Sequence, residues 1–247
     1  MKKSNALITG ANGGIGRALC SAFRDAGWDV ISSDREEATV ASADVYVPLD
    51  LVRLCRDAAY RKESVAFVRT ILDRNGLRVL INNAALQVVA PVEGLSSEDW
   101  HATMDVNVIA PFLLTQAFLP EIEKAGGSVI NIASVHAQLT KPGFSSYATS
   151  KSAVVGLTRA LAVELGARVR VNAISPAAIS TPMLEAGFSG DSEGLTRLAA
   201  YHPSGCIGTP EDVAGAALYL AEAQGKFLNG ATISLDGGIG TRLHDPG

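Results

Sequence analysis

The chain has 247 residues, 47% apolar and 19% charged, and its 21 Lys and Arg against 25 Asp and Glu give a formal charge of −4. A chain of this length buries enough apolar surface to fold without a metal or a disulfide, so we expect residues 1–247 to form one domain. The slight acidity argues against a nucleic-acid partner, and no apolar run approaches the roughly 18 residues that a membrane span requires.

Three cysteines, Cys20, Cys55 and Cys206, lie far apart and in no Cys-x2-Cys pattern. That usage predicts neither a disulfide framework nor a zinc site, and it fits the reducing cytoplasm. The histidines form no His-Glu-x2-His pattern, so we expect no metal centre.

Short runs rich in Val, Ile and Leu alternate with longer segments of helical period. This alternation is typical of repeated βαβ units, and near-continuous apolar runs are typical of strands buried on both faces. The runs predict seven strands, at residues 6–9, 29–33, 45–49, 79–82, 128–133, 170–174 and 232–235. We therefore expect an α/β, doubly wound Rossmann-like fold with a seven-stranded parallel sheet and helices on both faces.

Two of the intervening helices have clear start signals. Two serines followed by Glu and Asp predict a long helix over residues 97–119, interrupted near Pro111. Thr209 can cap a helix with Pro210 at its first position, and we expect that helix to run to about Glu222.

Residues 181–207, after the sixth predicted strand, mix Gly and Ser with scattered apolar side chains. Ligands of parallel sheets bind beyond the carboxyl ends of the strands. We therefore expect this segment to form an irregular lid over a substrate.

A glycine-rich turn, Thr-Gly-Ala-Asn-Gly-Gly-Ile-Gly, follows the first predicted strand at residues 9–16. Gly10 suits the tight turn, Gly14 lets the backbone approach a pyrophosphate, and Gly16 lets the next helix pack closely on the strand. The N-terminus of that helix would hold the phosphates, although clustered glycines also mark ordinary turns. The predicted dinucleotide contacts in the turn are Gly10, Asn12, Gly14, Ile15 and Gly16.

Asp34 ends the second predicted strand, 24 residues after Gly10. A carboxylate there can accept hydrogen bonds from the adenosine ribose hydroxyls and would repel a 2′-phosphate, which favours NAD over NADP. Two alternatives stay open, because Arg35 could pair with a 2′-phosphate and a strand-ending Asp is often only a turn residue.

Tyr147 and Lys151 are four residues apart in a segment of helical period, so their side chains share one helix face. An ammonium group about 5 Å from the phenol would lower its pKa by roughly two units and make Tyr147 an acid and base near neutral pH. A surface Tyr beside a Lys has the same spacing. Ser134 supports the catalytic interpretation, because it ends the fifth predicted strand, thirteen residues before Tyr147, and could hydrogen-bond the reacting oxygen.

These segments, in this order, resemble those of the single-domain short-chain dehydrogenase/reductase family over nearly the whole chain. Residues 9–16 resemble its Thr-Gly-x3-Gly-x-Gly turn, residues 82–85 its Asn-Asn-Ala-Gly segment, and residues 235–238 its closing strand. The resemblance implies a catalytic tetrad of Asn107, Ser134, Tyr147 and Lys151. It also implies cofactor contacts from Asp50, Leu51, Asn83, Ala84, Tyr147, Lys151, Pro176, Ile179 and Thr181.

Three residues depart from patterns common in the family. Ala85 and Ala177 stand where glycine is usual, and an alanine forced to positive φ would cost about 1 kcal/mol. Gly13 stands where NADP-using members often carry a basic residue, which agrees with the preference for NAD that Asp34 predicts.

The resemblance implies an oxidoreductase that transfers a hydride between NAD(H) and a secondary alcohol or ketone. Tyr147 would exchange the proton, Ser134 would hold the oxygen, Lys151 would reach the nicotinamide ribose, and Asn107 would hold a relay water. Gln87, His136 and Gln138 follow the two strand ends and are candidate contacts to a polar, hydroxylated substrate.

Three other functions remain as alternatives. An NADP-dependent carbonyl or 3-oxoacyl reductase would use the same residues. A non-catalytic NAD(H)-binding regulator would need Asp34 and the glycines but not the pair of Tyr147 and Lys151. A dehydratase or epimerase, as among longer relatives that act on nucleotide sugars, would carry an extra substrate domain.

The high apolar fraction and low charge suggest that part of the surface is covered in a homo-oligomer. The resemblance implies a tetramer or dimer that associates through the helices carrying Asn107 and Tyr147.

Overall fold

A computed structural model describes residues 4–36, 45–72, 76–188, 190–223 and 225–243. Seven strands form one sheet in the order β3-β2-β1-β4-β5-β6-β7, and every neighbouring pair is parallel. All seven predicted strands are present, and their ends differ from the prediction by at most two residues. The strands are β1 (Asn5–Thr9), β2 (Asp29–Asp34), β3 (Val45–Pro48), β4 (Val79–Asn82), β5 (Ser128–Ile132), β6 (Arg170–Pro176) and β7 (Thr232–Leu235).

Helices cover both faces of the sheet, as the fold class predicts. The helices of the described residues are α1 (Gly14–Asp25), α2 (Leu51–Arg56), α3 (Ala58–Ile71), α4 (Ser97–Met104), α5 (Ala110–Ala125), α6 (Ser145–Leu165), α7 (Pro182–Phe188), α8 (Ser192–Tyr201) and α9 (Pro210–Glu222). A π-helical turn, Asp105–Ile109, joins α4 to α5, and three short 3₁₀ turns are formed by Val92–Gly94, Val135–Ala137 and Ile239–Thr241.

The two faces of each central strand contribute to two separate hydrophobic cores. Ile8 of β1 packs with Phe23 of α1 and Leu220 of α9, whereas its neighbour Leu7 packs with Phe118 of α5 on the opposite side. Successive strand residues point to opposite faces, so burial on both sides favours apolar residues at most positions of a strand. This preference explains why the strands are readable as near-continuous apolar runs.

The order of the strands reverses between β1 and β4. From β1 the sheet proceeds through β2 to β3 on one side and through β4 to β7 on the other. Connections that leave in opposite directions open a crevice at the carboxyl ends of β1 and β4, which is where doubly wound sheets bind ligands. The glycine turn after β1 and the segment after β4 therefore face each other.

The helical stretch Ser97–Ala125 is interrupted near Pro111, as predicted. The Ala110 N–H donates to the Asp105 carbonyl five residues back, and Pro111 has no N–H to donate to Asn107. The stretch is long and apolar enough to cross a membrane by length and composition alone. Because Leu114 and Phe118 are buried in the core, it is the core helix of this fold.

The structure both supports and corrects the expectations for the last third of the chain. Thr209 and Asp212 form a reciprocal capping box at the start of α9, which ends at Glu222 as predicted. Residues 181–207 are not irregular, because they contain α7 and α8. The Thr181 hydroxyl accepts the Leu184 N–H at 3.3 Å, and the Asp191 side chain accepts from the first turn of α8. These caps stabilise short helices within a Gly- and Ser-rich segment.

Candidate active site

A cleft of about 1370 Å³ runs along the carboxyl ends of the strands. Its walls come from the glycine turn, the ends of β2 and β3, the segments after β4, β5 and β6, and the lid helices. The predicted site residues that line it are Gly10, Asn12, Gly14, Ile15, Gly16, Asp34, Asp50, Leu51, Asn83, Ala84, Gln87, Ser134, His136, Tyr147, Lys151, Pro176, Ile179 and Thr181. Asn107 and Gln138 are the two predicted residues outside this lining.

Close contacts explain the three glycines of the turn. Gly10 has a φ of +67°, and a Cβ there would lie 2.6 Å from the Ala84 Cα. A Cβ on Gly16 would overlap the Gly10 carbonyl oxygen, so no side chain fits between helix and strand. A Cβ on Gly14 would lie 2.8 Å from the Thr181 Cγ2. Gly14 thus also allows Thr181, directly before α7, to approach the turn, a constraint that the sequence did not indicate.

Helix α1 begins at this turn with its backbone amides uncapped. Its N-cap is Gly13, which has no side chain to accept a hydrogen bond from the first turn. The first N–H groups of a helix have no partners within it, and the helix dipole adds partial positive charge at this end. Since Gly14, Ile15 and Gly16 line the cleft, this end of α1 can bind the phosphates of a dinucleotide.

Asp34 is held at the end of β2, facing the glycine turn. Its carboxylate accepts the Asn12 N–H at 2.9 Å and the Arg35 N–H at 2.7 Å. The Arg35 guanidinium lies 3.4 Å from the Glu36 carboxylate, and both side chains are exposed. A carboxylate fixed in this position can accept hydrogen bonds from a ribose.

Asn83 and Thr9 tie the ends of β4 and β1 together. The Thr9 hydroxyl accepts the N–H groups of Asn83 and Ala84, both at 3.1 Å, and the Asn83 side chain donates to the carbonyls of Thr9 and Gly10 at 2.9 and 3.1 Å. The side-chain amide of Asn83 is therefore engaged in fixing the glycine turn.

The remaining predicted cofactor contacts lie at the two ends of the cleft. Asp50 is the N-cap of α2 and accepts the Arg53 N–H at 3.0 Å, and Leu51 is the first residue of that helix. Pro176 ends β6, and Ile179 is bridged to Gly208 in parallel register. Asp50 and Leu51 follow β3 and Pro176 ends β6, so the two segments lie on opposite sides of the β1 and β4 strand ends.

Tyr147 lies in the first turn of α6 and is buried beside Ser134 and Lys151. The Lys151 Nζ lies 5.6 Å from the centre of the Tyr147 ring and donates to the Ile132 carbonyl at 2.7 Å. Ser134 follows β5, and its hydroxyl accepts the His136 N–H at 3.2 Å and forms a hydrogen bond with the Tyr147 side chain. The structure thus brings these three predicted residues together.

Burial dominates the protonation of this group. Burial raises the pKa of Tyr147, and the hydrogen bond with Ser134 lowers it. Burial lowers the pKa of Lys151 to about 8. The expectation that Lys151 lowers the pKa of the phenol is therefore not met by this geometry. The ammonium group lies over the ring and donates to the Ile132 carbonyl, and the hydrogen bond with Ser134 is the contact that lowers the pKa of the phenol.

Asn107 is buried outside the cleft lining and connects Leu86, in the segment after β4, with Ser150 of α6. Its side chain accepts the Leu86 N–H at 2.8 Å and donates to the Leu86 carbonyl and the Ser150 hydroxyl, both at 2.9 Å. Ser150 in turn donates to the Tyr147 carbonyl at 2.7 Å. Both amide hydrogens of Asn107 have protein acceptors, so its side chain positions helix α6 against the segment after β4.

Ser150 is a site residue that the sequence analysis missed. It directly precedes Lys151 and is three residues from Tyr147, a spacing at which a serine hydroxyl reaches back to a helix carbonyl. That local signal was present in the sequence, but the contact with Asn107 depends on tertiary structure.

The other end of the cleft contains polar and aromatic side chains around Tyr147. His136 stacks on Phe144 with a ring-centre distance of 4.6 Å and meets the Tyr147 ring edge-on at 5.7 Å. Burial lowers the pKa of His136, with a smaller effect from Lys141. Gln138 is exposed and lies outside the lining, so the structure does not bring it to this end. The lining residues here that the sequence analysis did not single out as site residues include Lys141, Phe144, Met183, Leu184, Phe188 and His202.

Within the described ranges, no group of three or more His, Cys, Asp or Glu side chains could hold a metal ion. Cys20, Cys55 and Cys206 are all free.

Comparisons with known proteins give one consistent family. Residues 10–240 match the family model described as enoyl-(acyl carrier protein) reductase. The chain is 32% identical to 3beta-hydroxysteroid dehydrogenase 1 of Eggerthella lenta, over 97% of this chain and 94% of that protein.

Two solved structures that share this fold contain a nicotinamide cofactor. A gluconate 5-dehydrogenase from Burkholderia cenocepacia in complex with NADP and tartrate has a TM-score of 0.86 at 29% identity, covering 98% of this chain and 97% of that one. A 4-hydroxyisoleucine dehydrogenase complexed with NADH has a TM-score of 0.86 at 28% identity, covering 98% of this chain and 100% of that one.

The site and the relatives indicate the same activity. The site contains the glycine turn and the buried Tyr147 beside Ser134 and Lys151. Together, the site and the relatives make the chain an enzyme that transfers a hydride between a nicotinamide cofactor and an alcohol or ketone. The chain belongs to the short-chain dehydrogenase/reductase family of oxidoreductases.

Proposed function

We propose that this enzyme interconverts a secondary alcohol and a ketone with NAD(H), and that Tyr147 is its general acid and base. The observation that carries the proposal is the convergence of Ser134, Tyr147 and Lys151 on a cleft that the glycine turn also lines. When bound, the nicotinamide supplies the hydride acceptor or donor, and the protein supplies position and proton transfer.

In the oxidative direction, Tyr147 as a phenolate takes the proton from the substrate hydroxyl. The Ser134 hydroxyl hydrogen-bonds the same oxygen as its charge changes. Lys151 would reach the nicotinamide ribose from its buried position below Tyr147. Pro111 cannot donate to the Asn107 carbonyl, so that carbonyl lacks its regular helical partner and is a candidate acceptor for a relay water.

We propose NAD as the cofactor. The residues that would hold its adenosine are Asp34, which the Asn12 and Arg35 amides fix at the cleft, and Asp50 with Leu51. Arg35 is paired with Glu36, which leaves it less available to a 2′-phosphate. The phosphates would bind at the start of α1, where Gly13 contributes no positive charge.

An NADP-dependent carbonyl or 3-oxoacyl reductase is the second candidate. The observation that favours it is that Arg17 and Arg35 both line the adenosine end of the cleft. The relatives include NADP-bound and NADH-bound proteins, and one of them holds tartrate, which agrees with a polar, hydroxylated substrate.

Three further features belong to the proposal. Residues 181–207 would act as a lid, because α7 and α8 line the cleft opposite Tyr147. The enzyme would be a homo-oligomer, either a dimer or a tetramer. The free cysteines fit a cytoplasmic location.

The Tyr147→Phe variant tests the chemical assignment. We expect it to bind NADH as the wild type does and to lose at least a hundredfold in turnover of alcohols, because general acid–base catalysis contributes about that factor or more. NADH binding by fluorescence and turnover by absorbance provide the two measurements.

The exposed Tyr219, 64% accessible, offers a matched control. Tyr219→Phe should leave both measurements unchanged. Turnover of Tyr147→Phe within a few fold of the wild type would refute the role of the phenol.

A further inference from the structure

The charged side chains that line the cleft fall into two groups. Arg17, Asp34, Arg35, Glu36 and Asp50 surround the adenosine end, where both signs are present. At the end around Tyr147, the charged side chains are all positive. Of the described lining residues there, the lysines alone are ionised side chains, namely Lys141 and Lys151, and no carboxylate accompanies them.

The two lysines differ in what they can contact. Lys151 is buried below Tyr147 and donates to the Ile132 carbonyl, so it belongs to the catalytic group. Lys141 is exposed in the segment after β5 and lines the cleft. Its ammonium group lies 4.8 Å from the centre of the Phe144 ring.

Phe144 holds that ammonium group close to the reaction centre. The Phe144 ring contacts the Lys141 ammonium and also meets the Tyr147 ring, with ring centres 6.2 Å apart. One aromatic ring therefore separates the free cation from the proposed catalytic phenol. A cation held against an aromatic face loses less conformational freedom when it binds an anion.

Lys141 has no carboxylate partner among the residues that the structure describes. Within the part of the chain that the structure describes, no carboxylate lies within ion-pair distance of its ammonium group. Met183, Leu184 and Phe188 of α7 line the same cleft, and closure of apolar side chains over an ion pair lowers the local dielectric and strengthens the pair.

We propose that the substrate is a hydroxy acid or oxo acid, and that Lys141 is a specificity-determining residue that binds its carboxylate. The inference rests on the proposed function, because it assigns the substrate class of the same site. The carboxylate would sit beyond Phe144, and the reacting carbon would lie at Tyr147 and Ser134. Gln87 and Thr140 line the same end and can donate hydrogen bonds to the carboxylate or to further hydroxyls.

The experiment compares hydroxy acids with their own carboxamides, which match them in shape and lack the charge. A panel of 2-hydroxy, 3-hydroxy and aldonic acids is assayed with NAD for the wild type, Lys141→Met and Lys141→Glu. We expect the wild type to prefer the acids. Lys141→Met should lower kcat/KM for the best acid by about tenfold or more, as for loss of a charged hydrogen bond, and leave the amide within about twofold.

Two controls separate this inference from the rest. Lys124→Met removes an exposed lysine of α5 outside the cleft and should change nothing. NADH affinity should be the same in all variants, because Lys141 lies at the substrate end.

A binding measurement keeps the two proposals distinguishable. Succinate and succinamide are titrated calorimetrically into the NADH-loaded wild type and Lys141→Met. Succinate binding that needs Lys141 supports the carboxylate site even if the catalytic assignment fails. Three outcomes would each overturn the substrate class. They are an equal loss of acid and amide turnover in Lys141→Met, a preference of the wild type for amides over acids, and the absence of succinate binding to the NADH-loaded wild type.

Discussion

Lys151 is buried in the folded chain, an environment that its spacing from Tyr147 does not indicate. Spacing alone places Lys151 beside Tyr147 as a charge that stabilises a phenolate. In the folded chain both side chains are buried, and burial shifts the pKa of each toward its neutral form. The catalytic pair is thus maintained at a cost in stability, which is a common property of functional sites.

That cost should depend on pH. Burial lowers the pKa of Lys151 from its ordinary value of 10.5 to about 8 in the folded chain, so the ammonium form is penalised on folding. Stability should therefore rise between pH 8 and 10.5, where only the unfolded chain holds the proton. We compare the unfolding free energy of the wild type with that of Lys151→Met. The difference, wild type minus variant, should increase by about 3 kcal/mol between pH 7 and pH 10.5.

Urea unfolding at both pH values measures this difference. Lys124→Met, which removes an exposed lysine, should show no comparable change with pH. A difference between wild type and Lys151→Met that stays constant over this range would contradict the burial argument.

The proposed preference for NAD is also expected to depend on one residue, Asp34. Asp34→Asn keeps the shape of the side chain and removes its charge, so the repulsion of a 2′-phosphate is lost. We expect the ratio of kcat/KM for NAD over NADP to favour NAD in the wild type and to fall by about tenfold in the variant. A wild-type enzyme that prefers NADP would contradict the NAD proposal.

Elements are where the sequence and the structure agree best. Strand positions were predictable because burial on both faces favours mostly apolar runs, which Asn82 interrupts in β4 and Ser128 and Asn131 interrupt in β5. The start of α9 was predictable because Thr209 and Pro210 act locally. Helices α7 and α8 were not, because their capping residues occur among Gly and Ser that favour loops equally well.

The site was predictable only where a motif is local. The glycine turn and the pair of Tyr147 and Lys151 follow from spacing along the chain. The contact of Asn107 with Ser150 joins residues 43 positions apart, and the isolation of Lys141 depends on which carboxylates the fold leaves elsewhere. Neither could be read from the sequence, because both are properties of the packed structure.

The link between α6 and the π-helical turn gives a prediction at this scale. Ser150→Ala removes the acceptor of the buried Asn107 amide and the hydroxyl that donates to Tyr147. An unsatisfied buried donor costs about 1–3 kcal/mol, so the unfolding free energy should fall by that amount. Ser152→Ala, an exposed position on the same helix, should change it by less than about 0.5 kcal/mol. Equal effects in urea unfolding would show that the link does not contribute.

The surface of the whole molecule carries apolar side chains on the two helices that were expected to form subunit contacts. Ile109 and Phe112, at the start of α5, are 40% and 39% exposed, and Val163 near the end of α6 is 84% exposed. The π-helical turn before α5 carries Asn107 and α6 carries Ser150, the two residues that position Tyr147. Association through α5 and α6 would cover apolar surface and restrict movement of the catalytic helix at once.

We therefore expect the wild type to sediment as a dimer or tetramer rather than at the 25.7 kDa of one chain. Phe112→Glu combined with Val163→Glu places charge at two points of that surface, and burying an unpaired charge is costly, so the sedimenting mass should fall. Phe67→Glu introduces the same charge at an exposed residue of α3 and should leave the mass unchanged. A monomeric wild type, or an equal response to all these substitutions, would mean that α5 and α6 face solvent in the working enzyme.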